Sequence, residues 1–337
     1  MGSEFFDVVQ YGKENPAARG TPVAATQMFI GQMQSIKTDR KPVYPKEHFG
    51  KRSDAFRSVI HQRLYTNTLS TEHGCFQHLP LLGGGGLKGA VTAAEQTSGQ
   101  GDYLWAMTPS MTAANNPDSF TLRMGDDVQA WISEYCLFER IRISGQIAQG
   151  MDASPVRLES DFFGRQIAES TFTAALTPRD LEPLNAKYAR LYLDSAWAGV
   201  GSTELTDLLR TFDIEILTGV HPKFAGSTAQ TFNRHAEGII AVNGTFGIEG
   251  GAEANDIFAD QQNNVFTVAR LEITGGAIGT GENHSFTLDF GGTFEDASPI
   301  SSEDRGDNLA QFVLHDYLDN TSGLKMQWNV ITDINAY

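Results

Sequence analysis

LFERIRI, residues 137–143, places Ile141 and Ile143 on one side of an extended chain and Arg140 and Arg142 on the other. Successive side chains of a β-strand point to opposite faces, so this alternation is typical of a strand with one buried face and one face in water. We therefore expect a strand here, within a sheet that has one polar face.

The same alternation continues along the chain. VRLESDF, residues 156–162, follows a turn-forming stretch at 150–155, and this order predicts a hairpin with residues 137–143. Residues 324–331 are expected to form another hairpin with residues 311–318 through the turn-forming run DNTSG. Further strands are predicted at 212–216, 238–248, 266–274 and 285–290.

Helical periodicity is scarce, and only residues 72–82 and 203–210 are candidates for short helices. The sequence therefore predicts a mainly β fold, with tandem β-sandwich or barrel domains and short helices. We place the boundary where two prolines interrupt the strand pattern, which gives a first domain at 1–175 and a second, acidic domain at 176–337. A strand–loop–strand unit in each half suggests an internal duplication.

Composition excludes several classes of protein. The chain has 337 residues, 40% of them hydrophobic, which is too many for a disordered chain. No apolar run reaches the roughly 18 residues that a membrane-spanning helix needs. Two cysteines cannot form a disulfide framework, and the start of the chain, with Glu4 and Asp7, lacks the pattern of a signal peptide. We expect a soluble protein made in a reducing cytosol.

The charges are unevenly distributed. The whole chain has a net charge of −16, but residues 1–168 hold 16 Lys and Arg against 17 Asp and Glu, whereas residues 169–337 hold 9 against 24. A net negative charge of this size opposes stable binding to nucleic acid, because phosphate neutralisation needs clustered Lys and Arg. The acidic half is instead suited to a basic partner.

Residues 37–63 form a basic segment of that kind. They hold eight Lys and Arg against three Asp and Glu, contain two prolines, and lack sustained alternation. We expect an arm without regular secondary structure that extends from the rest of the domain, either as a solvated loop or as a contact to the acidic half of another copy. Its basic residues are Lys37, Arg40, Lys41, Lys46, Lys51, Arg52, Arg57 and Arg63.

No motif predicts a catalytic, cofactor or metal site. GGGGLKG, residues 83–89, lacks the Ser or Thr that follows the lysine of a phosphate-binding P-loop, so we interpret it as a flexible turn. His73, Cys75 and His78 are metal-ligand types, but their spacing does not supply the fourth ligand of a structural zinc site. The GxSxG and HExxH motifs are absent. We therefore expect a protein that is not an enzyme and needs no cofactor.

Short motifs follow one another along the chain: YGKE at 11–14, RGTPVAAT at 19–26, LPLL at 79–82, YLW at 103–105, TPS at 108–110, SFTL at 119–122, DFFGR at 161–165, LYLD at 191–194 and WNV at 328–330. In this order they resemble the tail tube proteins (major tail proteins) of long-tailed bacteriophages. In that family a Gly-x-Glu element leads into Gly-Thr-x-Val-Ala-Ala-Thr. The resemblance covers most of the chain.

The resemblance implies a structural role. Tail tube proteins form stacked rings, and strands from all copies join into an inner β-barrel through which viral DNA leaves the capsid. A long loop contacts the next ring. Members with two tube domains form trimers that imitate a hexamer, so a trimer is expected here, with a hexamer as the alternative. Implied partners are other copies of the chain, the tape measure protein, the tail terminator and initiator proteins, and double-stranded DNA that passes without specific binding. The implied location is the virion tail.

The polar faces of the predicted strands are candidates for the lumen. They contain three arginines, which departs from a purely acidic lining. Either these arginines pair with neighbouring carboxylates, or another face lines the lumen. Two other functions stay open: a carbohydrate-binding or carbohydrate-active β-sandwich, favoured if Trp is exposed in a groove, and another structural protein of the virion. The candidate lumen residues are Arg140, Arg142, Arg157, Glu159, Asp161, Asp213 and Glu215.

Overall fold

The computed structural model describes residues 7–48, 50–87, 91–226, 228–304 and 307–337. These residues form a mainly β fold with two short α-helices, which confirms the predicted fold class. The helices are α1 (Leu79–Gly86) and α2 (Ala252–Gln262). The strands are β1 (Val8–Lys13), β2 (Gln27–Phe29), β3 (Gln32–Met33), β4 (Arg40–Val43), β5 (Val59–Arg63), β6 (Tyr65–Thr71), β7 (Ala94–Glu95), β8 (Tyr103–Met107), β9 (Phe120–Gly125), β10 (Ala130–Gln146), β11 (Val156–Gly164), β12 (Ala168–Ser170), β13 (Ala189–Asp194), β14 (Leu209–Leu217), β15 (Val220–Lys223), β16 (Arg234–Glu237), β17 (Ala241–Glu249), β18 (Thr267–Ala277), β19 (Asn283–Asp304), β20 (Asp307–Asp316) and β21 (Met326–Thr332).

Eight strands form an antiparallel sheet in the order β3–β6–β11–β10–β14–β17–β20–β19, which we call the long sheet. The predicted hairpin of residues 137–143 and 156–162 is present as β10 and β11, with Arg142 opposite Glu159. The apolar positions of this hairpin, such as Ile141 and Ile143, are completely buried. One face of the long sheet therefore packs on the core.

A second antiparallel sheet has the order β13–β18–β19–β21–β8–β7. The long strand β19 belongs to both sheets, and Gly292 lies at the crossing, where it is opposite Thr267 of β18 and Asp316 of β20. A Cβ atom at this position would lie 1.9 Å from the carbonyl oxygen of His315, so only glycine fits where the two sheets meet.

A smaller sheet, β2–β1–β9–β10–β12, uses the first half of β10. The second half of β10 pairs with β14, so hydrogen bonding between strands continues past the predicted boundary near residue 175. The largest hydrophobic cluster also contains residues from both halves, from Val9 to Tyr337. The division at 1–175 and 176–337 stays a prediction.

The predicted hairpin between 311–318 and 324–331 is wrong. The turn at 319–323 is present, since the Asp319 N–H donates to the Leu324 carbonyl and the Gly323 N–H to the Asp319 carbonyl. However, β20 pairs with β17 and β19, whereas β21 pairs with β19 and β8. Each strand already has a partner on both edges, so the turn connects two strands that are not neighbours.

Residues 83–86 of the glycine-rich segment belong to a buried helix, so the prediction of a flexible turn is wrong for them, whereas Lys88 and Gly89 lie outside the described residues. Gly83 to Gly86 form the second half of α1, which is entirely buried. A Cβ atom at Gly83 would lie 2.5 Å from Sδ of Met107, and one at Gly84 would lie 2.3 Å from the hydroxyl of Tyr337. The glycines therefore allow the helix backbone to approach core side chains more closely than any other residue would permit.

The other helix predictions were partly correct. Within 72–82, a 3-10 turn at Phe76–His78 leads directly into α1. Residues 203–210 form turns and the start of β14 in place of the predicted helix. Helix α2 was not predicted, because only Ala254 and Ile257 in it are buried and its apolar periodicity is weak. No helix within the described residues is long and apolar enough to cross a membrane.

Candidate functional site

The seven predicted lumen residues lie on the same face of three adjacent strands, β11, β10 and β14. Arg140 is opposite Asp161, and Arg142 is opposite both Glu159 and Glu215. Asp213 is opposite Ser144, which follows Arg142 as the next residue of β10 on this face. The apolar side chains that alternate with them are buried, so this face is the one that the core leaves uncovered. We call it the charged face.

Arg140 is held by three carboxylates from the two flanking strands. Its Nε donates to Asp161 Oδ2 at 2.6 Å and its Nη1 to Glu215 Oε1 at 3.2 Å, while its Nη2 donates to Glu159. Thr68 of β6 donates its hydroxyl to the second oxygen of Asp161 at 2.6 Å. Each nitrogen of the guanidinium group therefore has a carboxylate partner.

The other two arginines are paired as well. Arg142 donates Nε to Asp213 Oδ1 at 2.8 Å and Nη2 to the second oxygen of the same carboxylate, a bidentate pair. Arg157 lies 3.3 Å from Glu159 Oε2 and 3.5 Å from Glu72 Oε1. The arginines therefore pair with neighbouring carboxylates, and the assignment of this face to a lumen stays a prediction.

These contacts shift the pKa values of the paired groups. Hydrogen bonds to Asp161, and then to Glu159 and Glu215, raise the pKa of Arg140. Burial alone would raise the pKa of Asp161, but the hydrogen bonds from Arg140 and Thr68 outweigh it and lower that pKa. The positive charge of Lys37 also lowers it. Arg140 and Asp161 are therefore both charged at neutral pH.

The polar character of this face extends over the whole long sheet. One row of directly opposed residues runs from β3 to β19, and every member is exposed or half-buried. At its far end, Nδ1 of His315 lies 2.6 Å from Oδ1 of Asn243. In sheet order the row consists of Gln32, Ser70, Glu159, Arg142, Glu215, Asn243, His315 and Thr293.

Sequence reasoning missed several members of this face. Thr68, Ser70 and Asn243 occupy alternate positions of β6 and β17, and that alternation was the available signal. Glu72 lies just beyond the end of β6 and had no pattern to mark it. Counting the arginines with Glu72 and the four predicted carboxylates, the central part of the face carries three positive and five negative charges.

One end of the charged face is closed by a hairpin of β15 and β16. A small hydrophobic cluster packs between this hairpin and the sheet, with Phe232 between Phe163 and Tyr135. Phe163 lies on the same side as Asp161 by the alternation of β11, and its partner Leu137 lies on the same side as Arg140 because a bulge in β10 between Phe138 and Arg140 shifts the register. The open part of the face therefore begins at Arg140.

The basic arm differs from its prediction in one respect. Its ends pair as a two-stranded hairpin, β4 with β5, although no regular secondary structure was expected there. The base of the hairpin is fixed by hydrogen bonds from the Arg63 N–H to the Gln230 carbonyl and from Gln230 Nε2 to the Ile60 carbonyl. Seven of the eight predicted basic residues are exposed, and Arg63 at the base is half-buried. Tyr44 and Phe56 are also exposed, at 64% and 62%.

Glu14, the last residue of the YGKE motif, is a buried carboxylate. Glu14 is 1% exposed, and its two oxygens accept hydrogen bonds from the backbone N–H groups of Gly20 and Tyr135 and from the hydroxyls of Ser119 and Thr121. Tyr135 has a φ of 57° at the irregular part of β10, and this bond supports that conformation. Glu14 therefore ties the loop before Gly20 to β9 and β10.

The other candidate sites have structural contacts. His78 Nε2 accepts the Ile30 N–H at 3.3 Å, and the Cys75 thiol donates to the His73 carbonyl at 3.5 Å. In the part of the chain that the structure describes, no group of three or more His, Cys, Asp or Glu is placed to hold a metal ion. The carboxylates of the charged face are occupied by arginine, so they do not form an acid and base pair in an apolar pocket.

None of the four tryptophans, all of which the structure describes, is exposed. Trp105 and Trp328 are buried on β8 and β21, Trp197 is 8% exposed, and Trp131 is half-buried. The exposed Trp that would have favoured a carbohydrate-binding groove is therefore not found. Comparison with protein-family models and with curated protein sequences gave no match to this chain.

Proposed function

We propose that this chain is a structural, non-enzymatic subunit of a phage tail tube, in which the charged face lines the lumen. Copies of the chain assemble into rings, the rings stack, and double-stranded DNA passes through the channel during ejection. The sequence resemblance motivates the proposal, and the arrangement of the long sheet supports it.

The observation that carries the proposal is the unbroken row of polar residues across eight strands. An antiparallel sheet with one buried face and one polar face is common, but a row of eight accessible polar residues is wide enough to form a wall. Neighbouring strands lie about 4.8 Å apart, so this wall spans roughly 30 to 35 Å. A few copies arranged edge to edge would enclose a channel.

The edges of the long sheet support assembly between copies. Among the described residues, β19 from Thr293 onward pairs only with β20, and β3 pairs only with β6. Unpaired strand edges invite pairing with another chain, and closure into a barrel removes them. The charges are also suitable: a wall with more carboxylates than arginines repels DNA over about 8 Å at physiological salt.

Electron microscopy of the purified protein and of intact particles tests the proposal. We expect stacked rings with an open channel and three-fold symmetry, six-fold symmetry being the alternative. A protein that stays monomeric under all conditions, including in the presence of a tail initiator complex, would count against a tube subunit. Rings whose channel is lined by a different sheet would support the tube function but would show that the charged face does not line the lumen.

A further inference from the structure

The arginines of the charged face are shielded from phosphate. Arg140 uses Nε, Nη1 and Nη2 on three different carboxylates, and its side chain is only 22% exposed. Arg142 places the two nitrogens of its fork on Asp213. A phosphate group binds arginine through the same planar fork of donors, so these contacts occupy the groups that would hold a nucleic acid backbone.

The carboxylates also reach the arginines from both sides. Asp161 and Glu159 belong to β11 and Glu215 belongs to β14, so rotation of Arg140 away from one strand brings it against the other. Thr68 fixes Asp161, and Arg157 adds a contact to Glu159. The pairs are therefore held in place by neighbours as well as by charge.

We infer that Glu159, Asp161, Asp213 and Glu215 keep the arginines of this face from binding polyphosphate chains. Without these carboxylates the same surface would bind duplex DNA. The inference rests on the proposed function, in which DNA passes this face, and it assigns a role to each pair: the arginines join the strands across the sheet, and the carboxylates prevent them from holding the DNA.

Neutralising a few carboxylates is enough to reverse the net charge at the centre of this face. Three arginines and five carboxylates give its centre a net charge of −2. Neutralising Glu159, Asp161 and Glu215 leaves three positive and two negative charges, a net charge of +1. The change replaces the charge-assisted contacts of Arg140 and one contact of Arg157 by weaker bonds to neutral amides, so phosphate can compete for these donors, and the charge changes as well.

The test compares two triple variants of the full chain. Glu159→Gln, Asp161→Asn and Glu215→Gln together neutralise the three carboxylates that hold Arg140. The matched control neutralises three exposed carboxylates on other surfaces, by Asp127→Asn, Glu169→Gln and Asp256→Asn. Both variants keep the basic arm, so any binding by the arm is common to them. Circular dichroism and thermal unfolding identify the variants that fold.

Binding is measured by fluorescence anisotropy with a labelled 30-base-pair DNA duplex at several salt concentrations. We expect the first variant to bind at least about tenfold more tightly than wild type at low salt, with log K falling against log salt by about 0.9 for each additional phosphate that the variant neutralises. We expect the control variant to bind as wild type does. Adding Arg140→Gln to the first variant should remove most of the increase in affinity.

An equal increase in affinity in both triple variants would mean that net charge alone governs binding, and the inference would be wrong. The inference would also be wrong if the wild-type protein bound the duplex as tightly as the first variant does. If the first variant does not fold, Asp213→Asn releases Arg142 by itself at a more exposed position, and an unchanged affinity in that folded variant also overturns the inference. The assay needs no assembly, so absence of rings by microscopy would contradict the tube without changing this result.

Discussion

His78 illustrates how burial decides the role of a single residue. It lies in the core, where its ring packs against Phe29 at 4.4 Å between centroids and its Nε2 accepts the Ile30 N–H. Its Nδ1 has no hydrogen-bond partner among the described residues. Burial lowers the pKa of His78 to about 4, because a charged imidazolium would lose its hydration there.

This shift predicts a dependence of stability on pH. Between the ordinary histidine pKa of about 6.5 and the folded value, the unfolded chain binds a proton that the folded protein does not, so stability is full above that window and falls as the pH decreases through it. The full shift corresponds to about 3 kcal/mol. We expect urea unfolding to show a steeper loss of stability from pH 7 to pH 4.5 in wild type than in His78→Gln, whose amide oxygen can still accept the Ile30 N–H. Parallel profiles would show that His78 titrates normally in the folded protein.

For single residues, the sequence predicted which face of a strand a side chain lies on, but it did not predict which other side chains it contacts. Alternation in LFERIRI placed Arg140 and Arg142 on the polar side, and the structure agrees. That Arg140 would contact Glu215, 75 positions away, depends on which strands are neighbours in the sheet. The role of Glu14 was hidden for the same reason, since its donors come from three separate parts of the chain.

Among the elements, α1 departs most from sequence expectation. Glycine in a helix costs up to about 1 kcal/mol relative to alanine, so four consecutive glycines predict a turn. Packing reverses that preference, because the rings of Phe138 and Phe120 lie against the helix backbone at Gly85. No local pattern indicates this, since both rings belong to strands more than 30 positions away.

Gly85→Ala tests this explanation. A Cβ atom there would lie 2.6 Å from Cδ2 of Phe138 and 3.0 Å from Cε2 of Phe120, both in rigid buried rings. We expect a loss of about 1–3 kcal/mol in the free energy of unfolding, although alanine is the better helix former. Gly226→Ala is the control, because no atom lies within 4 Å of its Cβ position. A stabilised Gly85→Ala protein would mean that the helix has room to spare.

The strand predictions succeeded where partners are adjacent and failed where they are distant. The hairpin of β10 and β11 needs only a short turn, whereas β20 and β21 are joined by an equally suitable turn and do not pair. Turn-forming residues fix where the chain reverses, but the two edges of each strand are assigned by the whole sheet. A local pattern therefore predicts strands better than it predicts sheets.

In the whole molecule, the basic residues of the arm and the acidic excess lie in different parts of the chain. The basic hairpin β4–β5 projects exposed lysines and arginines together with Tyr44 and Phe56, whereas most of the excess acidic charge lies in residues 169–337. If the two regions paired within one chain, neither would be left to bind another copy. If they pair between copies, each copy added offers a new binding region, and the assembly can grow without limit. In the proposed tube, we predict that the arm connects one ring with the next.

Charge reversal in the arm tests that connection. We expect Lys51→Glu with Arg52→Glu to weaken ring stacking more than ring closure, because both exposed residues lie in the loop between β4 and β5 and contribute no strand pairing. The matched control, Lys223→Glu with Arg234→Glu, makes the same charge change on an exposed strand pair outside the arm. Tube length by electron microscopy and particle size by light scattering measure stacking, and raising the salt concentration should shorten wild-type tubes toward the length of the variant. If the arm variant stacks like wild type at every salt concentration, charge pairing between arm and acidic half does not hold the rings together.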